Sequence, residues 1–244
     1  FKQKTAYEIY QCDWSSDVCS SDLQIDMSYY SQFEQDKFVY ENYYQGKTDG
    51  YFVDIGAHDG TTFSNSRFFE EIGWSGVCVE PNPKVFETLQ STRECKCVMK
   101  AVADKQGTAQ FFQITEGADM LSGLVDEFNQ HGVERIHNNL QDTENGFEYI
   151  DVELDLFNNI VDNTTIDFLS LDTEGNELKI LQTIDFDKYD IKVITVENND
   201  VITVQLENSV ESKFLPDRKF LNFLTSKGYN FVTRLGCDEL YVKK

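Results

Sequence analysis

The sequence has no run of about eighteen apolar residues, so no segment of it is expected to cross a bilayer as a helix. It is also short of basic residues: 21 Lys and Arg stand against 43 Asp and Glu, for a net charge of −22. Binding to a nucleic-acid backbone depends on Lys and Arg displacing condensed counterions, and docking on an anionic membrane needs the same cations. Neither nucleic acid nor membrane is therefore expected as a partner. No Cys-x-x-Cys and no paired His spacing is present, which removes the usual zinc frameworks, and no metal is expected. Gly-x-Gly-x-x-Gly, the turn that cradles a pyrophosphate, is missing as well.

The first 23 residues do not read as part of a fold. Residues 2–9 match a conceptual translation of AAG CAG AAG ACG GCA TAC GAG AT, and residues 13–22 match a second stretch of the same kind of sequencing adapter. Residues 1–23 are set aside as an adapter-derived, disordered segment. One domain is expected over residues 24–244, which is 221 residues and enough for a substantial core. The discarded part holds Lys2 and Lys4 against four acidic residues, so the remainder carries −20. Its cysteines, Cys78, Cys95, Cys97 and Cys237, read as reduced thiols of a cytoplasmic protein.

Short β-type runs alternate with amphipathic stretches, the pattern of a parallel sheet covered by helices. Strands are predicted at 51–55, 76–80, 97–102, 166–171 and 191–196; their near-continuous apolar content suits burial on both faces. Helices are predicted over 62–72, ending at Gly73; from Asn82 and Pro83, an N-cap followed by proline; over 177–184; and over 216–227, closed by Gly228. Residues 229–234 and 239–242, with Gly236 between them, predict a closing hairpin. That ending suits a seven-stranded sheet with one antiparallel strand better than a plain dinucleotide fold. Residues 113–150 are long, polar and Asn-rich, and read either as a cover for a substrate or as surface elaboration. The aromatic residues Tyr29, Tyr30, Phe33, Phe38 and Tyr40 read as a packing helix.

Three places carry candidate chemistry. Directly after the first strand comes Asp54-Ile55-Gly56-Ala57-His58-Asp59-Gly60, whose glycines allow a tight turn and a close backbone approach to a ligand. His58 stands where a diphosphate would need glycine, so a phosphate-free nucleoside fits the loop better. Twenty residues past Gly60, Glu80 ends the second strand. A carboxylate there can accept both ribose hydroxyls of an adenosine; the other reading is a solvated Glu stabilised by the following helix N-terminus. The fourth strand runs into Asp172-Thr173-Glu174-Gly175-Asn176-Glu177, where Asp172 or Glu174 could act as a base toward a hydroxyl, or these carboxylates could simply cap the next helix. For Glu177 the capping role is expected. His131 and His137 are read as facing solvent, and His58 as touching substrate or packing the loop.

These residues together resemble the FkbM-type methyltransferases. The resemblance runs from Ser31-Gln32 and Gln35-Asp36-Lys37-Phe38 through residues 50–60, Ser64-Asn65, Gly73-Trp74-Ser75-Gly76 and Glu80-Pro81-Asn82. It continues through residues 171–177 and Val196-Glu197-Asn198 to Asp238-Glu239-Leu240-Tyr241-Val242. It implies an α/β, Rossmann-like class I methyltransferase: a three-layer sandwich on a seven-stranded, mostly parallel sheet with a C-terminal antiparallel hairpin. The implied cofactor is S-adenosyl-L-methionine, and the implied reaction is O-methylation of a sugar or another hydroxylated small molecule. The resemblance places Asp54, Gly56, Ala57 and Gly60 on the cofactor loop, Glu80 and Pro81 at the ribose, Ala101 and Val102 along the adenine, and Asp172 and Glu174 at the reacting centre, Asp172 also touching cofactor. Asn176 departs from the small residue expected beside Gly175. The rival readings are a nicotinamide-dependent oxidoreductase, disfavoured by the glycine spacing, and a non-catalytic binding module on the same fold.

Overall fold

The computed structural model describes residues 28–115, 119–127, 146–199, 204–206, 209–211 and 217–244. Residues 1–23, His131 and His137 fall outside these.

The strands are β1 (Tyr51–Ile55), β2 (Ser75–Val79), β3 (Lys96–Val98), β4 (Ala101–Val102), β5 (Gly107–Ile114), β6 (Gly123–Leu124), β7 (Phe147–Asp155), β8 (Thr165–Leu171), β9 (Asp190–Glu197), β10 (Val204–Leu206), β11 (Ser209–Glu211), β12 (Tyr229–Leu235) and β13 (Asp238–Lys243). The helices are α1 (Gln35–Val39), which widens into a π turn over Tyr40–Tyr44, α2 (Arg67–Glu71), α3 (Pro83–Thr92), α4 (Phe157–Ile160), α5 (Glu177–Thr183) and α6 (Arg218–Ser226). Seven strands form the main sheet in the order β3-β2-β1-β8-β9-β13-β12. β13 pairs antiparallel with both β9 and β12, while β1, β2, β3, β8 and β9 pair in parallel. This is the seven-stranded class I arrangement with its terminal hairpin, as expected.

Why the sheet is buried on both faces follows from the alternation along its strands. Val53 and Ile55 of β1, Val77 and Val79 of β2 and Leu169 and Leu171 of β8 point to one side, where Phe157, Ile180, Leu181, Phe220 and Leu224 of α4, α5 and α6 meet them. Phe52, Cys78 and Phe168 point to the other, against Val39, Phe68, Phe69, Trp74 and Leu89. Tyr29, Tyr30, Phe38 and Tyr40 complete this second core, the Tyr29 and Tyr40 rings 4.6 and 4.9 Å from that of Phe68, whereas Phe33 is exposed and the helix expected here begins only at Gln35.

Local signals hold where they are strongest. The Asn82 side chain accepts the Lys84 N–H at 3.1 Å, with Pro83 in the first turn, and α3 begins there. Gly73 has φ 105°, and the Gly73 and Trp74 N–H groups bond back to Glu70 and Phe69, so α2 closes in a Schellman turn.

Three expectations need correction. The helix predicted over 62–72 begins only at Arg67. The Asp59 carboxylate takes the Thr61 and Thr62 N–H groups at 2.8 and 2.7 Å, and Phe63 is left-handed at φ 54°, so the chain before Ser64 is a turn. The strand predicted over 97–102 is two: β3 stays in the main sheet, whereas β4 joins a second, four-stranded sheet ordered β4-β7-β5-β6. Lys100 sits at the break with its ammonium 2.7 Å from Asp155 of β7, and the Ala103 N–H donates to the Asp155 carbonyl. The polar stretch 113–150 is not irregular at its ends, which belong to β5 and β7 of that second sheet. No helix among the described residues is long and apolar enough to cross a membrane.

Candidate active site

Three loops leave the carboxyl ends of β1, β2 and β8, where open α/β sheets bind their ligands. At the first, Gly56 turns with φ 85°, and the Gly56 and Ala57 N–H groups both reach the Val79 carbonyl, at 2.9 and 3.1 Å. A Cβ on Gly56 would collide with the Asp172 carbonyl, itself fixed because the Asp172 N–H donates to Ile55. The glycine is thus required for two backbones to pass, which also sets where the Asp172 side chain starts. Gly56→Ala combines this collision with a left-handed φ, and is expected to cost about 2 kcal/mol or more, roughly a 6 °C fall in melting temperature by calorimetry.

At the second loop Glu80 is only 6 % exposed, which removes the reading of a solvated carboxylate. Its two oxygens accept the His58 N–H at 3.0 Å and the Asn82 N–H at 2.8 Å, so it ties the first loop to the start of α3. Burial pushes its pKa up to about 7, against the pull of those hydrogen bonds and of His58.

The third loop is organised by Glu177, whose carboxylate accepts the Thr173 N–H and hydroxyl and the Gly175 N–H at 2.8, 2.9 and 3.0 Å. Its expected structural role is what the geometry shows. The turn leaves Glu174 left-handed at φ 58°. Asn176 donates to the Val102 carbonyl at 3.0 Å, while its own carbonyl oxygen is buried without a partner. Asp172 lies against Glu197 at the end of β9, and burial together with the Glu197 charge holds the Asp172 pKa well above the carboxylate range. Glu197 is pushed up likewise, by burial and then by the charges of Glu174 and Glu177. Two such carboxyls share a proton between them. Oxygens of Asp172, Glu174 and Glu197 lie within 4.8 Å of one another, a grouping able to approach a cation.

All this opens into one cleft. Gly56, Glu80, Pro81, Ala101, Val102, Asp172 and Glu174 line it together, as do Asn176 and Glu197. Asp54, Ala57 and Gly60 do not. Asp54 turns beneath the loop, where it accepts the Ser66 hydroxyl, and the Arg93 guanidinium donates to the same Ser66 oxygen at 3.1 Å. Gly60 faces α3: a Cβ there would sit 2.6 Å from Leu89 and 2.7 Å from Arg93. Asp54 and Ala57 contribute to a smaller adjoining hollow instead. Met120, Leu121, Ser122 and Leu124, from the stretch read as either a substrate cover or surface elaboration, line the cleft, and His58 stands 3.3 Å from Asp119 there.

The methyltransferase FkbM domain model matches residues 54–231. The chain belongs to that family. It carries an S-adenosylmethionine-dependent methyltransferase domain, and the nicotinamide reading is set aside. Among solved structures, the FkbM methyltransferase of Methylobacillus flagellatus KT is 12 % identical with a TM-score of 0.43, over 84 % of this chain and 47 % of that one. This chain therefore spans about half the length of that protein. A putative RNA methyltransferase from Pyrococcus horikoshii is 12 % identical, TM-score 0.36, over 86 % and 83 % of the two chains. An S-adenosylmethionine-dependent methyltransferase from Bacteroides fragilis, solved with S-adenosyl-L-homocysteine, is 10 % identical, TM-score 0.39, over 86 % and 77 %. No match was found among curated proteins.

For an FkbM-family domain, the cleft suits its cofactor in charge and in hydrogen bonding. A sulfonium and an ammonium are cations, and Asp172, Glu174 and Glu197 gather on one wall while Lys100 is engaged by Asp155. The unpartnered Asn176 oxygen, on a residue 2 % exposed, needs a donor such as an exocyclic amine. Glu197 and Asn176 were not picked out as site residues from the sequence. Glu197 carried a usable signal, a carboxylate ending a parallel strand; Asn176 stood out only as a departure from the expected turn.

Proposed function

We propose that this domain methylates a hydroxyl oxygen on a sugar or another small hydroxylated metabolite. The observation that carries the reading is Asp172: a carboxyl with a raised proton affinity, on the wall of the same cleft as Glu80 and beside Glu174. When bound, S-adenosylmethionine supplies an electrophilic methyl group on a sulfonium. Glu80 would accept the two ribose hydroxyls, its position already fixed by the His58 and Asn82 amides. Pro81, Ala101 and Val102 would wall the adenosine, and Asn176 would accept from its amine. Asp172, with Glu174 beside it, would hold the acceptor hydroxyl in line and take its proton as the new carbon–oxygen bond forms. An ionised carboxylate of high proton affinity is a stronger base than an ordinary one, and burial supplies that affinity here.

The test is a screen of hydroxylated metabolites and glycans with methyl-labelled S-adenosylmethionine. Label is expected on oxygen. Transfer to amines alone, or to nucleic acid, would overturn the reading.

A further inference from the structure

Away from the cleft, the fold brings two thiols into contact. Cys78 of β2 is wholly buried, on the face of the sheet that packs against Phe68, Phe69 and Leu89. The Cys95 sulfur lies 3.5 Å from the Cys78 sulfur, and Cys95 is only half-buried, so the pair is approached through Cys95. Cys97 is the register partner of Cys78 on β3, yet its sulfur is turned to the Cys95 carbonyl, 3.5 Å away. Cys95 itself belongs to no ladder. It stands in the bend between α3 and β3, with its N–H on the Glu70 carboxylate at 2.7 Å.

The two sulfurs are prepared for different parts. The Cys95 thiol is held below the ordinary thiol range, first by the Cys78 and Cys97 S–H groups and then by the Arg93 charge. Burial, and then the contact with Cys95, push Cys78 well above that range. A thiolate is the form that reacts, and a buried thiol touching it is placed to capture the product. A disulfide needs about 2.05 Å between sulfurs, so roughly 1.5 Å remains to be closed. The bend at Cys95 can supply that movement without breaking a strand.

Arg93, two residues before Cys95, fastens the cofactor loop. Its guanidinium donates to the Gly60 carbonyl at 3.1 Å and to the Ser64 and Ser66 hydroxyl oxygens at 3.3 and 3.1 Å. Ser66 in turn donates to Asp54, and the Cys78 sulfur lies 4.0 Å from the same Ser66 oxygen. A bond between the two sulfurs therefore acts on both ends of this fastening.

We propose that Cys95 and Cys78 form a peroxide-reactive dithiol, whose oxidation to a disulfide loosens the cofactor loop through Arg93. The Cys95 thiolate attacks an oxygen of hydrogen peroxide. A sulfur–oxygen bond forms, the oxygen–oxygen bond breaks, and the hydroxide that leaves is neutralised by the proton Cys95 had given up. The Cys78 sulfur then attacks the sulfenic sulfur, and its proton departs with the displaced hydroxide as water. Two thiols and one peroxide yield one disulfide and two waters, and a dithiol reductant reverses the change. None of this depends on which acceptor the domain methylates.

The experiment treats the whole reduced chain with a few-fold excess of hydrogen peroxide, alkylates it and cuts it with trypsin. The cuts leave Cys78 in residues 68–84, Cys95 in 94–96 and Cys97 in 97–100, so mass spectrometry tells the three apart. Peptide 68–84 is expected to be linked to 94–96, with the loss of two hydrogens, in wild type and in Cys97→Ser but not in Cys95→Ser. S-adenosylhomocysteine affinity, measured by calorimetry, is expected to fall about tenfold on oxidation and to return with dithiothreitol. Peroxide-treated Cys95→Ser is expected to stay within about twofold of its untreated affinity. Absence of the linked pair, a link to 97–100 in its place, an unchanged affinity in the linked protein, or the same loss of affinity in Cys95→Ser would each overturn the proposal.

Discussion

Asp172→Asn is expected to lower kcat for methyl transfer by about 10²- to 10⁴-fold, the range typical of a lost general base. The substitution preserves shape and can still orient a hydroxyl, but it cannot take a proton. Asp172 and Glu197 hold a proton between them because burial raises both, with the Glu197 charge adding to it at Asp172 and the Glu174 and Glu177 charges at Glu197. Wild-type activity should therefore rise with pH through a value well above the ordinary carboxylate range, and the variant should lose that dependence. Glu174→Gln removes a partly buried neighbour, not the paired carboxyl, and should cost less. The check is a pH profile of kcat for the two variants beside wild type, with S-adenosylhomocysteine affinity measured in parallel. An Asp172→Asn protein within about threefold of wild-type kcat would end the base assignment, because a positioning role alone survives the amide.

Glu80→Gln is expected to weaken S-adenosylhomocysteine binding by about 10- to 100-fold, since charge-assisted hydrogen bonds contribute about 1.5–3 kcal/mol. An amide offers one acceptor oxygen where the carboxylate offers two, and its NH₂ would face either the His58 or the Asn82 N–H. The wild-type affinity should also depend on pH. Glu80 titrates near 7, so affinity should climb as pH rises through about 7 and level off above it, whereas the Gln variant should stay flat. Stability carries the opposite sign. The folded group keeps its proton up to about 7 while an unfolded Glu releases it near 4.5. The stabilisation from this group is therefore complete below 4.5 and lost as pH rises through about 7. Melting of the unliganded protein across that window, beside calorimetry of the ligand, separates the two trends. Affinity that is independent of pH between 6 and 8, estimated as about one unit either side of the titration, would remove Glu80 from the ribose.

Much of the architecture could be read before any coordinates. β1, β8 and β9 lie where continuous apolar runs put them, because a parallel strand covered on both faces must be apolar along its length. Asn82 with Pro83, Gly73 and Gly228 mark helix ends through contacts within five positions along the chain, and such signals are written locally. The misreadings have a shared cause. Residues 97–102 look like one strand until Lys100 meets Asp155, 55 positions later. Residues 62–66 look helical until Asp59 takes the Thr61 and Thr62 amides. The Gly56 to Gly60 spacing suggested two ligand-facing glycines; Gly56 lines the cleft, where its missing Cβ lets the Asp172 carbonyl pass, whereas Gly60 faces α3.

The sequence by itself determined the succession of the main-sheet strands, the turn after β1 and the carboxylates that follow β2 and β8. Each follows from periodicity, local backbone preference or composition. Only the tertiary structure decided that Glu80 is buried and bound to two amides, that Asp172 is paired with Glu197, and that Asp54 and Gly60 turn away from the cleft. Those properties depend on strand register and on exclusion of water, which arise between residues tens of positions apart and leave no periodic trace along the chain.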